Sequence, residues 1–377
     1  MQHFVRGFTL AVCLMMGSAL AQDFVFGINF DAGGKFDRSF NEGTWRGMVR
    51  AIEELDDLDI ELLEFEGTPD TSAQGLRNMA AEGSELIVAP GFAQADAMSS
   101  VSSEFQDTNF VIIDAVVEAP NVRSVIFKEH EGSYIVGYLA GTMSQTGVVG
   151  FVGGMDIPLI RKFNLGYEEG VMAACPECTV ISNYTGVTPA AWNDPARAKE
   201  LATLQHGQGA DIIYAAAGAS GNGVIDWANE TMCYSPANLP EDVDTRVTPL
   251  TTIAESVDKS EAYAGACDAD NEPVFFIGVD SNQNFLGDTD NDPSTLNHGL
   301  TSMLKRVDVA SANAVMDVIE GEFEGGIQVL GLGEEGVGYA VDEFNAALIP
   351  QELQLELNLI ADAIISGETV VTDFTQQ

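Results

Sequence analysis

The sequence predicts an α/β protein built from two parallel-sheet lobes in tandem, and three observations carry that reading. Short apolar runs of strand length alternate with segments whose apolar residues recur at helical spacing, and the alternation begins a second time after Phe127. Runs of the first series end in loops that carry an acid or a glycine: Asp31, Gly91 and Asp114. The chain has 377 residues, 46% hydrophobic and 20% charged, a globular balance with core enough for roughly two domains.

Met1 to Ala21 reads as an export signal, with Arg6 and no acid, an apolar run to Met16, and Ala19-Leu-Ala21 before the cut. The mature chain is expected to start at Gln22. Cys13 follows Val12 inside the apolar run, which does not fit a lipid-anchor site, and no later stretch reaches the roughly 18 apolar residues of a membrane helix. A soluble periplasmic product without a lipid anchor is therefore expected.

The run Phe24 to Phe30 is the first strand, and Trp45, Met48, Ile52 and Leu55 mark the first helix. Between them, Asp31-Ala-Gly-Gly-Lys-Phe-Asp-Arg-Ser-Phe-Asn-Glu-Gly43 is a strand-to-helix loop, at the sheet edge where parallel α/β proteins bind ligands. Ser39 and Glu42 have the spacing of a capping box, so Ser39 is expected at the N-cap. Strands follow at 59–65, 86–89, 110–114 and 124–127, with helices at 71–81 and 93–105. The second series has strands at 148–152, 179–184, 211–215 and 274–279, and helices near 157–174, 194–206 and 223–230. Residues 232–271 are too long for an ordinary connection and read as a surface excursion tied by a disulfide. The segments 300–304 and 308–319 join one of the two sheets; the alternating 336–341 and the helix 351–365 close the other.

The full chain has 16 basic and 58 acidic residues, a net charge of −42; removal of the signal takes away Arg6 and leaves −43. Such a surface repels nucleic acid and anionic lipid. Four cysteines follow the signal, Cys175, Cys178, Cys233 and Cys267, and an exported chain favours disulfides. Pairing 175 with 178 and 233 with 267 is the simplest of three possibilities. Cys175-Pro-Glu-Cys178 lies between a helix and a strand, not at a helix start, which disfavours thioredoxin-like chemistry, and no histidine stands near either pair to complete a zinc site. Gly218-Ala-Ser-Gly-Asn-Gly223 opens a helix but lacks the G-x-G-x-x-G pattern and a Walker lysine, so it reads as a packing turn. Asp288-Thr-Asp-Asn-Asp292 alternates like a calcium loop but lacks the sixth-place glycine and twelfth-place glutamate. No catalytic histidine constellation and no G-x-S-x-G elbow are present in the sequence, which disfavours a hydrolase.

Several segments, in order along nearly the whole chain, carry a family resemblance: Gly33-Gly-Lys-Phe-Asp-Arg-Ser-Phe-Asn41, Phe127-Lys-Glu-His-Glu-Gly-Ser133, Gly150-Phe-Val-Gly-Gly-Met-Asp156 with Phe163 and Gly166-Tyr167, Asn193-Asp-Pro195, Gly278-Val-Asp280 and Thr301-Ser-Met-Leu-Lys-Arg-Val-Asp308. The chain resembles the basic membrane protein group of ABC-transporter substrate-binding proteins, whose characterised members bind purine nucleosides. The resemblance implies a type I periplasmic binding protein whose two Rossmann-like lobes are joined by three crossings, near Lys128, Ser281 and Phe323. Residues 22–127 with 282–322 would form one lobe, and 128–281 with 323–377 the other. It implies no enzymatic activity, no cofactor and no bound metal. Two features depart from the group: many members are lipoproteins, and the insert 232–271 is absent from shorter ones.

Carried over by these motifs, Phe40 and Trp192 resemble the pair that sandwiches the purine, and stacking of this kind contributes about 1–3 kcal/mol per base. Asp114 resembles the acceptor at the base edge, with Asn41 offering a donor and an acceptor to the same ring. Asp280 and Lys305 resemble the pair on the ribose hydroxyls, Gly218 gives a backbone group where a side chain would clash, and Asp31 lies near the sugar. The implied partners are guanosine, inosine or adenosine and an inner-membrane ABC permease, with no nucleic acid, and a monomer is expected. The alternatives are a receptor for another small polar ligand, such as a sugar or signalling molecule, and a nucleoside-processing hydrolase.

Overall fold

Strands that are buried on both faces must be apolar throughout, and the short runs of this chain meet that demand in two separate sheets. The computed structural model describes residues 23–376; the signal and the expected start at Gln22 lie outside the described residues. The first lobe contains β1 (Asp23–Phe30), α1 (Phe40–Glu53), β2 (Asp59–Glu66), α2 (Ser72–Ala81), β3 (Leu86–Pro90), α3 (Ala95–Glu104), β4 (Asn109–Ile113) and β5 (Val122–Phe127). The second contains α4 (Glu129–Met143), β6 (Val148–Met155), α5 (Pro158–Ala174), β7 (Thr179–Gly186), α6 (Pro195–Gly207), β8 (Ile212–Ala216) and α7 (Asn222–Thr231). There follow β9 (Cys233–Tyr234), α8 (Pro249–Ser256), α9 (Glu261–Ala266), β10 (Glu272–Pro273), β11 (Phe275–Asp280), β12 (Gly299–Lys305), α10 (Val307–Glu320), β13 (Gly326–Leu330), β14 (Val337–Tyr339) and α11 (Gln351–Ile365).

The first sheet has the order β13-β5-β4-β3-β1-β2 with every pair parallel, and the second β14-β12-β11-β8-β6-β7 with only β14 antiparallel. In the first lobe, Phe26, Ile28, Val88 and Val111 pack under α1 and α10, while Ile87, Phe110 and Ile112 meet Leu76, Met98 and Val101 of α2 and α3 on the opposite face. Among the described residues no helix is long and apolar enough to cross a membrane.

Three expectations about how the chain divides are corrected. The segment 300–304 falls within the stretch expected in the first lobe, but β12 pairs with β11 and extends the second sheet. Helix α10 does lie on the first lobe, because small residues let it approach α1: a side chain on Gly47 would stand 2.0 Å from the Asp308 carbonyl oxygen, and Ser311 donates to the Thr44 carbonyl at 2.8 Å. Beyond Phe323, β13 returns to the first sheet as an edge strand beside β5, with Ile327 and Val329 exposed. The chain thus crosses at Lys128, at Arg306 and between Leu330 and Val337, not at Ser281 and Phe323.

Disulfides join Cys175 to Cys178 and Cys233 to Cys267. The excursion 232–271 is less peripheral than its acidity suggests. Leu250, Ala254 and Tyr263 are buried in the second lobe's core, and Thr248 donates to the Met143 carbonyl at 3.0 Å. The acids of 288–292 turn inward on their own loop, where Asp288 accepts from the amides of Asp290 and Asn291 at 3.0 and 2.8 Å. Among the described residues no cluster of histidine, cysteine or acidic side chains is arranged for a metal.

Candidate functional site

The carboxyl ends of the strands in both sheets open onto one cleft, as the geometry of parallel α/β layers requires. A cavity lies there, lined by Asp31, Phe40, Asn41, Asp114, Trp192, Gly218, Asp280 and Lys305, all eight residues singled out from the sequence. Asp37, Phe92, Leu159, Ile160 and Phe163 also line it. The result is a mostly apolar slot between lobes with acids at its polar end. Phe92 was foreshadowed by the loop after the third strand and Phe163 by its motif, but neither stood out as a site residue.

Equivalent strands of the two lobes supply equivalent parts. The third strands of the two sheet orders, β4 and β11, are followed or ended by Asp114 and Asp280, with φ of 70° and 63°. Such left-handed positions are uncommon for a side chain-bearing residue, though aspartate tolerates them better than most. In the same way β3 leads to Gly91 at φ 108° and β8 to Gly218 at φ 55°. At Gly91 a side chain would also meet the Asp31 carboxylate, with Oδ2 2.1 Å from the added carbon. For Gly218 the expected clash is corrected: an added carbon would make ordinary contact with Trp192 at 3.7 and 3.8 Å, so the constraint there is the backbone angle. Trp192 instead depends on Gly154, where an added carbon would fall 2.3 Å from the indole ring.

The loop after β1 is built around Asp37, which the sequence reading overlooked. Its Oδ1 accepts from the amides of Ser39 and Glu42 at 2.9 and 3.1 Å, and its Oδ2 accepts from the Asn41 amide at 2.9 Å and the Asn41 side chain at 3.2 Å. Asp37 therefore caps α1. Ser39 holds the N-cap position without capping, so the expected capping box is absent. Its hydroxyl reaches across the cleft to Asp280 Oδ2 at 2.5 Å. Asn41 is committed locally as well, its Oδ1 accepting from the Asp31 amide at 3.1 Å.

Further bonds between the lobes close this side of the cleft. Ser281 donates to the Ser39 carbonyl at 2.9 Å, Gln283 to the Arg38 carbonyl at 2.9 Å and Asn222 to the Asp37 carbonyl at 3.3 Å.

The cation of the site is also shared between lobes. Lys305 Nζ donates to both Asp114 oxygens at 2.7 and 2.6 Å and lies 3.0 Å from Glu129 Oε1. Its nearest partner is thus Asp114 from the opposite lobe, not Asp280. The rings of Phe40, Phe127 and Phe163 surround the ammonium at 5.0, 5.2 and 5.6 Å. Burial alone lowers the Lys305 pKa, but the charges of Asp114, Glu129 and Asp280 outweigh it and raise the pKa above the usual lysine value. Burial pushes Asp31, Asp37, Asp114 and Asp280 up to about 6; for Asp114 it outweighs the opposing pull of Lys305.

Comparison with known proteins accords with this architecture. A family model described as "ABC transporter substrate-binding protein PnrA-like" matches residues 26–239. Among curated relatives, "ABC transporter nucleoside-binding protein BmpA" of Lactococcus lactis subsp. cremoris is 27% identical over 348 residues, covering 91% of this chain and 85% of that protein. "CD4+ T-cell-stimulating antigen" of Listeria monocytogenes is 29% identical over 364 residues, 94% of this chain and 89% of that one. Among solved structures, an ABC transporter system solute-binding protein from Aeropyrum pernix K1 aligns with a TM-score of 0.70 at 24% identity, over 93% of this chain and 94% of its own. The arabinose-binding protein AraP of Geobacillus stearothermophilus aligns at 0.54 with 10% identity over 86% and 98%, a likeness of fold alone. The fold is that of type I periplasmic binding proteins, and the role of the matched family is binding for transport, not catalysis. With the model matched over more than half its length, the chain belongs to the PnrA-like family of ABC transporter substrate-binding proteins.

Proposed function

We propose that this protein is a periplasmic receptor that encloses a purine nucleoside between its lobes and delivers it, as a monomer, to an ABC permease. The observation that carries the reading is the slot itself: Phe40 from one lobe and Trp192 from the other line a cavity whose remaining polar groups are mostly carboxylates. A flat base loses water from both faces when the lobes close on it, and stacking on an aromatic contributes about 1–3 kcal/mol. Ribose hydroxyls are donors that carboxylates accept, which suits Asp31 and Asp280, while Asp114, held in place by Lys305, offers an acceptor beside the base. The relative described as nucleoside-binding supports the same ligand class.

The charge of the slot sets a selectivity. Asp31, Asp37, Asp114 and Asp280 face one ammonium, Lys305, so a monophosphate would add about two negative charges to a poorly solvated acidic space. Calorimetric titration with guanosine, inosine and adenosine is expected to show saturable binding by at least one, and guanosine monophosphate to show none at ordinary concentrations. Absence of binding by all three nucleosides would refute the ligand reading, and comparable affinity for guanosine and its monophosphate would refute the charge argument. Release of free base from inosine would point to a nucleosidase.

A further inference from the structure

Behind the cavity, four charges form a buried alternating chain that no part of the ligand reading uses. Asp114 pairs with Lys305, Lys305 with Glu129 Oε1 at 3.0 Å, and Glu129 Oε2 with Lys162 Nζ at 2.5 Å. Lys162 then donates to the Phe127 carbonyl at 2.9 Å. Glu129, Lys162 and Lys305 are all buried, and only Asp114 and Lys305 line the cavity. The chain begins and ends on the first lobe, at the loop after β4 and the last residue of β5, and runs through the second lobe between them. Glu129 comes directly after the Lys128 crossing, and Lys305 directly before the Arg306 crossing.

We propose that Glu129 and Lys162 are positioning residues: without touching ligand, they fix the Lys305 ammonium against Asp114 and tie its place in the cleft to two of the three crossings between lobes. The Lys305 ammonium has three hydrogens, and its close acidic partners are the two Asp114 oxygens and one oxygen of Glu129. Without Glu129 one hydrogen loses its partner, and Lys162 loses its counter-charge in a space where an unpaired charge is costly. Four alternating charges leave the chain formally neutral. A loose surface lysine could not hold its nitrogen among three rings in this way.

For the binding arm, the proposal rests on the nucleoside reading, and a double-mutant cycle titrated with inosine tests it. Glu129→Gln is expected to weaken binding about tenfold in the wild-type background and by less than about twofold when Lys305 is already methionine, because neighbours acting through one group are not additive. Equal losses in both backgrounds, or no loss in either, would overturn it. The double variant Glu129→Gln with Lys162→Met removes a charge pair without stranding Lys162 and serves if the single variant does not fold; the same coupling to Lys305 is expected. A second readout needs no ligand. In a lysine-selective ¹⁵Nζ NMR spectrum the resonance assigned through Lys305→Met is expected to shift and exchange faster in the Glu129 variant, and an unmoved resonance would overturn the positioning role. Failure of the wild type to bind any nucleoside would instead remove the ligand reading and leave the NMR arm to decide.

Discussion

Trp192 has its ring at the cleft for a reason that lies in another strand: the glycine at 154 leaves the space that a side chain would fill. The indole is partly exposed and borders the core without belonging to its buried set. Trp192→Ala is therefore expected to weaken nucleoside binding by about 1–3 kcal/mol in calorimetric titration while leaving the melting temperature nearly unchanged. Wild-type affinity in the variant would assign the ring to packing. Phe40 and Trp192 were singled out through the motifs of the family resemblance, and Trp192 also because it stands outside any apolar stripe just before a helix start. The Lys305 to Asp114 pair was not legible. The two residues lie 191 positions apart on different lobes, and only the way the lobes face each other brings them within 2.7 Å.

At the scale of elements, α1 shows how a short-range signal misleads. Ser39 and Glu42 have capping-box spacing, yet the side chain of Ser39 finds a stronger acceptor in Asp280 across the cleft, and Asp37 takes the cap. Asp37→Ala removes the acceptor for three amides at the start of α1 and should cost about 1–2 kcal/mol of stability, measured by urea denaturation. A loss confined to a few tenths would mean that water replaces the carboxylate. The excursion 232–271 makes a second element-scale prediction. Its Cys233 to Cys267 bond closes a loop with a sequence separation of 34, and replacing both cysteines by serine is expected to cost roughly 3–4 kcal/mol on a loop-entropy estimate. Nucleoside affinity should be retained, since no residue of the excursion lines the cavity; a parallel loss of affinity would show that the excursion shapes the cleft. Strand β13 eluded the sequence reading because it is an edge, with Ile327 and Val329 exposed and no buried run to announce it.

For the whole molecule, burial of acid on a surface of net charge −42 makes stability depend on pH in an unusual direction. Burial raises Asp31, Asp37, Asp114, Asp211 and Asp280 from 3.8 to about 6. Between these values the folded chain holds more protons than the unfolded one, so these five groups destabilise it as pH rises through that window and relieve it as pH falls. His298, lowered by burial to about 4, and His130, lowered in the same way, act oppositely because the unfolded chain protonates first as pH falls below about 6.5. Five groups outweigh two, and acidification also relieves self-repulsion. The melting temperature is expected to be higher at about pH 5 than at about pH 7 in a buffer series of constant ionic strength. A lower value at pH 5 would mean that the buried carboxylates are held ionised by their hydrogen bonds, against the burial term.

Most of the order of strands and helices and the presence of two lobes were determined by the sequence itself, because they rest on local periodicity, and eight of the residues lining the slot were reached through contiguous motifs that carry the family resemblance. The same holds for the approximate position of the first crossing, at Lys128. Which sheet received β12 and β13 was decided only by tertiary structure: each is a short strand whose pairing depends on which edge lies open beside it, β11 for one and β5 for the other. The electrostatics of the cleft belong to the same class. A carboxylate's partner depends on what faces it across the gap, so Asp280 meets Ser39 and Lys305 meets Asp114, and no spacing along the chain encodes either meeting.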